Sequence, residues 1–222
     1  MQIKFIPCKK TNHGGIRSLD QIKYLVIHYT AGEDDTATDN GTYFNRNDIG
    51  ASAHYFVDEN EVVLSVPENT VAWHCGANFY YHTTCRNSNS IGIEICTKKD
   101  KNGVYYLDTK AMDNAAVLVW SLMEKYKIPL SNVVRHYDVT RKDCPAPMVG
   151  EGESLWNLFK ERIMEMPDRI FDDVPVDAWY ADSGKFCYER GLMNGVGDGK
   201  FEPNRPVTRA EMAAILHRLS KK

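Results

Sequence analysis

The sequence predicts an α/β fold in which helices flank a mixed central β-sheet, followed by a small helical module at the C-terminus. Short segments rich in Val, Ile and Tyr alternate with stretches whose apolar residues recur every three or four positions. Hydrophobic residues make up 43% of the 222 residues, which is enough for a substantial core. The composition changes across residues 167–170, so we expect a first domain over 1–167 and a second over 171–222.

Strand-like segments define the centre of the first domain. Residues 21–30 (QIKYLVIHYT) concentrate Val, Ile and Tyr, and the two-residue period of a strand places the even-numbered side chains, among them His28, on one face. Residues 31–40 (AGEDDTATDN) are polar and are expected to form a loop. Further strands are predicted as a hairpin over 52–68, a strand at 90–97 and a short strand at 133–136.

Helices are predicted from the spacing of apolar residues. The segment from Thr109 to Tyr126 has helical periodicity, and Pro129 closes it. A second helix is predicted over 154–166. In the C-terminal module, a helix capped by Asp177 is predicted to end at Gly191, and a capping box over Thr208–Glu211 starts another. Two helices and a glycine-rich connection bury little surface by themselves. We therefore expect this module to pack against a partner, a second copy or the first domain.

Charge and hydropathy exclude several classes of function. The net charge is −3 without a long basic run, which argues against nucleic acid as a partner. No segment approaches the roughly 20 apolar residues of a membrane span. The N-terminus lacks the apolar region of a secretory signal, so we expect synthesis in the cytoplasm unless the sequence has been trimmed. The six cysteines are too sparse for a disulfide framework.

The segment RHYDVTRKDCPAP (135–147) holds half of a candidate metal site. With His28 of the first central strand, His136 and Cys144 supply two imidazoles and a thiolate, a recognised set for catalytic zinc. Three protein ligands leave a fourth position for water, whose pKa zinc lowers from 15.7 to about 7. The alternative stays open, because a lone strand histidine is more often packed and hydrogen-bonded than a ligand.

Two further residues suit the hydrolysis of an amide. Attack on an amide carbonyl creates an oxyanion, and Lys142 brings a cation next to Cys144. Glu94, in the apolar segment SIGIEICT, is a candidate to move protons between water and the leaving amine. The alternatives are an outward-facing strand residue for Glu94 and a solvated loop charge for Lys142.

Five motifs resemble, in order and content, the zinc-dependent N-acetylmuramoyl-L-alanine amidases of the amidase-2 family: VIHYTAG, SAHYFVDE, VAWHCGA, NSNSIGIEICT and RHYDVTRKDCPAP. That family includes phage endolysins and is related to peptidoglycan recognition proteins. The likeness covers about residues 1–166. It implies one zinc ion bound by His28, His136 and Cys144, with Glu94 and Lys142 as catalytic residues.

One position departs from the related recognition proteins. Their catalytic Tyr stands immediately before the histidine of the middle strand, where this sequence has Ala53. Tyr55 follows that histidine and is not assigned the role. The endolysin branch relies on the glutamate, which is present as Glu94. His54 itself is expected to be structural.

Residues 171–222 resemble a surface-layer homology (SLH) module over its whole length, including the TRAE signature at 208–211. The resemblance implies binding of a secondary polymer of Gram-positive cell walls, with Arg209 contacting an acidic sugar and Trp179 lining the same groove. Such modules commonly occur in threes and this chain has one. Homo-oligomerisation through the tail is therefore a further expectation.

A compact His/Cys cluster begins within the VAWHCGA motif. His74 is predicted to line the substrate cleft, with Trp73 as cleft wall or core. For the group His74, Cys75, His82 and Cys85, a structural metal is less expected than a Cys75–Cys85 disulfide or free thiols.

We therefore expect a bacteriolytic peptidoglycan hydrolase that cleaves the amide between N-acetylmuramic acid and L-alanine. As a phage or prophage endolysin, it would be made in the host cytoplasm and act at the Gram-positive cell wall. Three alternatives remain: a non-catalytic peptidoglycan-binding protein, a zinc peptidase cutting the stem peptide, and a tail that only forms oligomers. Binding-only relatives usually lose the cysteine ligand, whereas this sequence keeps all three ligands.

Overall fold

The computed structural model describes residues 3–165, 170–174, 178–197 and 199–220. The chain divides into two compact units, Met1–Ile163 and Met164–Lys222. The composition change predicted at 167–170 falls mostly outside the described residues, as does the predicted helix cap Asp177.

A mixed sheet forms the centre of the first unit. In chain order its strands are β1 (Ile3–Phe5), β2 (His13–Ile16), β3 (Tyr24–Tyr29), β4 (Tyr55–Val57), β5 (Val62–Leu64), β6 (Thr70–Ala72), β7 (Ser90–Ile95), β8 (Thr97–Lys99), β9 (Tyr105–Leu107) and β10 (Val133–Arg135). Six of them form one sheet in the order β1-β5-β4-β7-β3-β10, in which only β4 and β5 pair antiparallel. The predicted α/β class with a mixed central sheet is confirmed.

The hairpin predicted at 52–68 is the β4–β5 pair. Asp58 closes its turn, because its Oδ1 accepts from the backbone N–H groups of Asn60 at 2.6 Å and Glu61 at 2.8 Å. Aspartate commonly shapes turns by bonding backbone groups two or three residues on.

Four helices accompany the sheet: α1 (Ala37–Arg46), α2 (Thr109–Tyr126), α3 (His136–Thr140) and α4 (Glu153–Glu165). The bounds predicted for α2 are confirmed, and Asp108 caps it by accepting from Lys110 N–H at 2.8 Å. α1 packs against β4 and β5, while α2 packs against β4 and β7.

The prediction of a loop over 31–40 is wrong for its last four residues, where α1 begins. Thr36 and Asp39 form a capping box at this start, since Asp39 N–H donates to Thr36 Oγ1 at 3.0 Å. The buried residues of α1 are Ala37 and Gly41, and the half-buried Phe44 on the same face packs against Phe56 of β4, with ring centroids 5.2 Å apart. A second difference concerns His136, which begins α3 instead of ending the preceding strand.

The second unit contains α5 (Ala181–Glu189) and α6 (Arg209–Ser220). Gly191, at φ +60°, has the left-handed conformation predicted after the first of these helices. The predicted capping box is also confirmed, because Thr208 N–H donates to Glu211 Oε2 at 2.8 Å and Glu211 N–H donates to Thr208 Oγ1 at 3.2 Å. None of the helices in the described part of the chain combines the length and the hydropathy of a membrane span.

Candidate active site

Three parallel strands bring the predicted site residues to one edge of the sheet. β7, β3 and β10 run parallel, so their carboxyl ends lie together. Glu94 is the register partner of His28. Arg135 pairs with Ile27, so the next residue, His136, follows at the level of His28. The sheet therefore aligns Glu94, His28 and His136 in one row.

Cys144 joins this row from the loop after α3. Its carbonyl accepts from Tyr137 N–H at 2.8 Å, and its own N–H donates to the carbonyl of Lys142 at 2.8 Å. Its Sγ lies 3.6 Å from Nδ1 of His28. One ligand atom from each of His28, His136 and Cys144 lies within 4.8 Å of the others, and all three residues are buried. Two imidazoles and a thiol at this spacing fit the donor set of a catalytic zinc site.

Glu94 stands beside the three candidate ligands. Its Oε1 lies 3.9 Å from Nδ1 of His28, and its side chain is 21% exposed. Its Oε2 is buried and has no hydrogen-bond partner among the described residues. Burial raises the pKa of Glu94 to about 8, against the opposing effect of the Lys142 ammonium. An unpaired buried carboxylate oxygen beside three candidate metal ligands fits a site that takes up a cation and water.

The surroundings keep both imidazoles neutral at pH 7. Burial, followed by the neighbouring His136, holds the pKa of His28 well below its ordinary value. Burial and then Lys142 lower the pKa of His136 to about 4. Burial and then the Glu94 carboxylate raise the pKa of Cys144 to about 12. Neutral imidazoles offer a lone pair to a metal, and a bound cation favours the thiolate form of a cysteine.

The row opens into a cleft. A cavity of about 270 Å³ borders the three candidate ligands together with Glu94 and Lys142. A second cavity of about 580 Å³ shares Trp73 and His74 with the first. Lys142 is exposed, and Trp73 keeps 38% of its surface exposed. The structure thus gathers seven predicted residues around one cleft: His28, Trp73, His74, Glu94, His136, Lys142 and Cys144.

Arg135 anchors the loop that carries two of the candidate ligands. Its guanidinium donates to the two carboxylate oxygens of Asp138 at 3.1 and 2.9 Å and to the carbonyl of Met148 at 2.7 Å. The backbone N–H of Arg135 also donates to Asp138, at 2.9 Å. A paired planar guanidinium of this kind adds geometric rigidity as well as binding energy.

Two other residues singled out in the sequence, Tyr55 and His54, do not border these two cavities. The Tyr55 hydroxyl donates to Glu68 at 2.5 Å. His54 is buried, and its Nδ1 accepts from Gly92 N–H at 3.0 Å, as expected for a structural histidine. Trp179, which is 92% exposed, and Arg209, also exposed, belong to the second unit.

The His/Cys cluster at 74–85 is not assembled into a second metal site. Cys75 and Cys85 are free, buried thiols. The Nδ1 of His82 accepts from the backbone N–H groups of Thr84 and Cys85, at 3.2 and 3.0 Å, and so stabilises a turn. Among the described residues, the group of His28, His136 and Cys144 is the only set of three or more ligands close enough to share an ion.

Two residues near the site were not predicted from the sequence. Ser90 and Gly92, both in β7, contact the ring of His74, which in turn meets His28. The available signal was the glycine itself, because an isolated glycine in an apolar strand often marks the close approach of another group.

Comparisons with known proteins agree with this geometry. A family profile described as N-acetylmuramoyl-L-alanine amidase (Amidase_2) matches residues 18–147, and one described as S-layer homology domain matches residues 170–213. The chain is 36% identical over 168 residues to the N-acetylmuramoyl-L-alanine amidase CwlL of Bacillus licheniformis, covering 71% of this chain and 45% of that protein. It is 34% identical over 172 residues to BlyA of Bacillus subtilis, covering 72% and 45%.

Solved structures show the same fold. The catalytic domain of XlyA superposes with a TM-score of 0.61 at 30% identity, covering 73% of this chain and 99% of that one. A mutant endolysin from Bacillus subtilis superposes with a TM-score of 0.60 at 30% identity, covering 73% and 99%. The chain belongs to the N-acetylmuramoyl-L-alanine amidase (Amidase_2) family. It spans 45% of the length of each of the two curated relatives named above.

Proposed function

We propose that this chain hydrolyses the amide bond between N-acetylmuramic acid and L-alanine in peptidoglycan with the help of one zinc ion. The observation that carries the proposal is the row of Glu94, His28 and His136 at the edge of the sheet, completed by Cys144. The proposal is supported by the fact that these side chains border one cleft in a chain from the amidase family.

The side chains divide the chemistry among them. His28, His136 and Cys144 would hold the zinc ion, which when bound polarises the scissile carbonyl and makes water more acidic. Glu94 takes a proton from the attacking water and passes it to the departing amine of L-alanine, acting first as base and then as acid. Lys142, exposed at the rim, stabilises the negative charge that develops on the carbonyl oxygen.

For the tail, the proposal is binding to a secondary polymer of the Gram-positive wall. Trp179 is 92% exposed and offers an aromatic face to a sugar ring, while the exposed Arg209 offers a planar pair of donors to a sugar carboxylate. Residues 171–222 would then keep the catalytic domain, residues 1–167, close to its substrate.

The same tail is proposed to associate with a second copy of the chain. None of the described residues of α6 is buried, and three apolar side chains at helical spacing are exposed by about half: Met212, Leu216 and Leu219 at 47%, 57% and 54%. An apolar stripe of this kind is stabilised when another helix covers it.

The biological setting proposed for the chain is that of a phage or prophage endolysin. It would be made in the host cytoplasm and would act on the Gram-positive cell wall. The likeness to a Bacillus subtilis endolysin over 73% of the chain supports this setting.

Wall digestion separates an enzyme from a binding protein. We expect the purified chain with zinc to clear a suspension of Gram-positive walls and release new amino groups. The Glu94→Gln chain should bind the same walls without clearing them. Sedimentation of the unaltered chain with walls, without any new amino groups, would contradict the proposed activity.

A further inference from the structure

His74 is engaged at both nitrogens of its ring. Its Nδ1 lies 3.0 Å from Nε2 of His28, and its Nε2 lies 3.1 Å from Oγ of Ser90. The rings of His28 and His74 meet edge to face, with centroids 5.1 Å apart. A hydrogen bond from this ring to a substrate would require giving up one of these partners. A role in lining the cleft therefore does not by itself explain the hydrogen bonds that His74 makes.

The hydroxyl of Ser90 sets the direction of these hydrogen bonds. It has one proton, which it donates to the carbonyl of Arg86 at 2.7 Å, because a carbonyl can only accept. His74 Nε2 must therefore donate to Ser90, and an imidazole that carries its single proton on Nε2 has no proton on Nδ1. That nitrogen accepts the proton of His28 Nε2. The second ring nitrogen of His28, Nδ1, consequently carries no proton.

The unprotonated Nδ1 of His28 faces two other residues of the candidate site, Cys144 and Glu94. It lies 3.6 Å from Sγ of Cys144 and 3.9 Å from Oε1 of Glu94. The Nδ1–H tautomer of His28 would place two unprotonated nitrogens, His28 Nε2 and His74 Nδ1, against each other. It would also put a proton on the nitrogen that a metal must bind. The hydrogen-bond chain thus favours the form of His28 that can act as a ligand.

The ring of His74 is held in place by its neighbours. A Cβ atom on Gly92 would lie 2.4 Å from Cγ of His74 and 2.7 Å from its Nδ1, so only glycine lets the ring rest on β7. At the backbone, the N–H groups of His74 and Cys75 both donate to Oδ1 of Asn87, at 3.1 and 2.8 Å. The orientation of the ring is therefore set before any ligand binds.

We propose that His74 is a positioning residue that fixes His28 as its Nε2–H tautomer and so presents Nδ1 to the zinc ion. Ser90 and Gly92 hold His74 for this purpose. The inference rests on the proposed function, in that it takes zinc as the bound ion. Metal-binding histidines usually donate their second N–H to a carboxylate, a carbonyl or water. Here the acceptor is a second imidazole.

Two measurements test this role without relying on activity. The tautomer of His28 is read from ¹⁵N NMR of the zinc-free full chain, and the zinc Kd is measured by competition with a chromogenic chelator. We expect the Nε2–H tautomer in the unaltered chain. His74→Leu should raise the zinc Kd by about 10- to 100-fold and populate the Nδ1–H form of His28.

Matched variants separate positioning from general damage. His74→Asn places an amide oxygen near the original Nδ1 and should restore most of the affinity lost in His74→Leu. Gly92→Ala keeps His74 but displaces its ring, so it should weaken zinc binding in the same direction. His217→Leu, an exposed change in α6, should leave the zinc Kd unchanged.

Two results would overturn the proposal: an Nδ1–H tautomer of His28 in the unaltered chain, or a folded His74→Leu chain with unchanged zinc Kd. If His74→Leu does not fold, the proposal is tested by the His28 tautomer of the unaltered chain and by the zinc Kd of Gly92→Ala. Failure of the unaltered chain to bind zinc would contradict the proposed function instead, and the tautomer would still report on His74.

Discussion

His28 and Glu94 are register partners on the neighbouring parallel strands β3 and β7, with Nδ1 and Oε1 3.9 Å apart. Adjacent strands lie about 4.8 Å apart, so side chains in register on one face meet without help from a loop. The distance between a candidate ligand and the candidate proton carrier is therefore set by backbone hydrogen bonding of the sheet.

Replacing Glu94 by Gln should leave zinc binding intact and abolish most turnover. The amide keeps the shape of the side chain but cannot take up a proton, so we expect wall hydrolysis to fall by about 10²- to 10⁴-fold. Zinc content by atomic emission and the rate of amino-group release check this together. An unchanged rate would remove Glu94 from the mechanism, and loss of zinc would make it a ligand.

Replacing Cys144 by Ser should lower zinc content and, with it, lytic activity. Cys144 is 4% exposed, and a neutral hydroxyl at its position is a poorer partner for zinc than a thiolate. Cys187→Ser, in the second unit, serves as a matched control that should retain both properties. Full lytic activity in zinc-free protein would contradict the metal assignment.

Glu68 lies at the centre of a polar cluster away from the cleft. Its carboxylate accepts from the hydroxyls of Tyr55 and Tyr126 and pairs with Lys125, and its side chain is 12% exposed. Although burial raises the pKa of Glu68, the bonds from Lys125, Tyr126 and Tyr55 lower it by more. The native state therefore favours the charged form.

Glu68→Gln should lower the free energy of unfolding by roughly 2–3 kcal/mol at pH 7, because hydrogen bonds to a charged group are lost. A carboxyl group whose pKa is lowered by folding contributes its full stabilisation above its ordinary pKa of 4.5 and loses it as the pH falls through the lower folded value. The difference between the two chains should therefore shrink below pH 4.5 in urea titrations. The exposed Glu161→Gln should show neither effect, and a difference independent of pH would contradict this account.

Arg209→Ala should weaken binding of the full chain to Gram-positive walls by roughly tenfold, because a charge-assisted bond to an acidic sugar is lost. Lys200→Ala removes a charge elsewhere in the same unit and serves as the control. Sedimentation with purified walls measures both. Equal binding of the two variants would leave Arg209 without a role in polymer recognition.

Leu216→Glu should convert an associated chain to a monomer, because it places a charge in the exposed apolar stripe of α6. Light scattering of the full chain measures the oligomeric state. A monomeric unaltered chain would rule out association through this helix, while leaving wall binding to be judged from Arg209.

The sequence predicted those elements whose pattern is local. α2 has a long apolar period and the β4–β5 hairpin has a turn marked by Asp58, and both lie where they were expected. α1 was not predicted, because its face toward the sheet, formed by Ala37, Gly41 and Phe44, holds only one large apolar side chain.

The candidate site was likewise predictable from the sequence only in part. Residue types and family resemblance pointed to the candidate ligands, but alignment of Glu94 with His28 depends on strand register, which links residues far apart in the chain. The contact between His74 and His28 depends in turn on the space above Gly92. The strand register has no local signature, and the isolated glycine indicates only that some group lies close to β7, without identifying that group as His74.

Mass spectrometry of digested Gram-positive peptidoglycan tests the proposed activity most directly. We expect glycan strands with free lactyl carboxyl groups on N-acetylmuramic acid, together with stem peptides that begin with a new L-alanine amino terminus. Products cut within the stem peptide, with L-alanine still joined to muramic acid, would contradict it and indicate a peptidase.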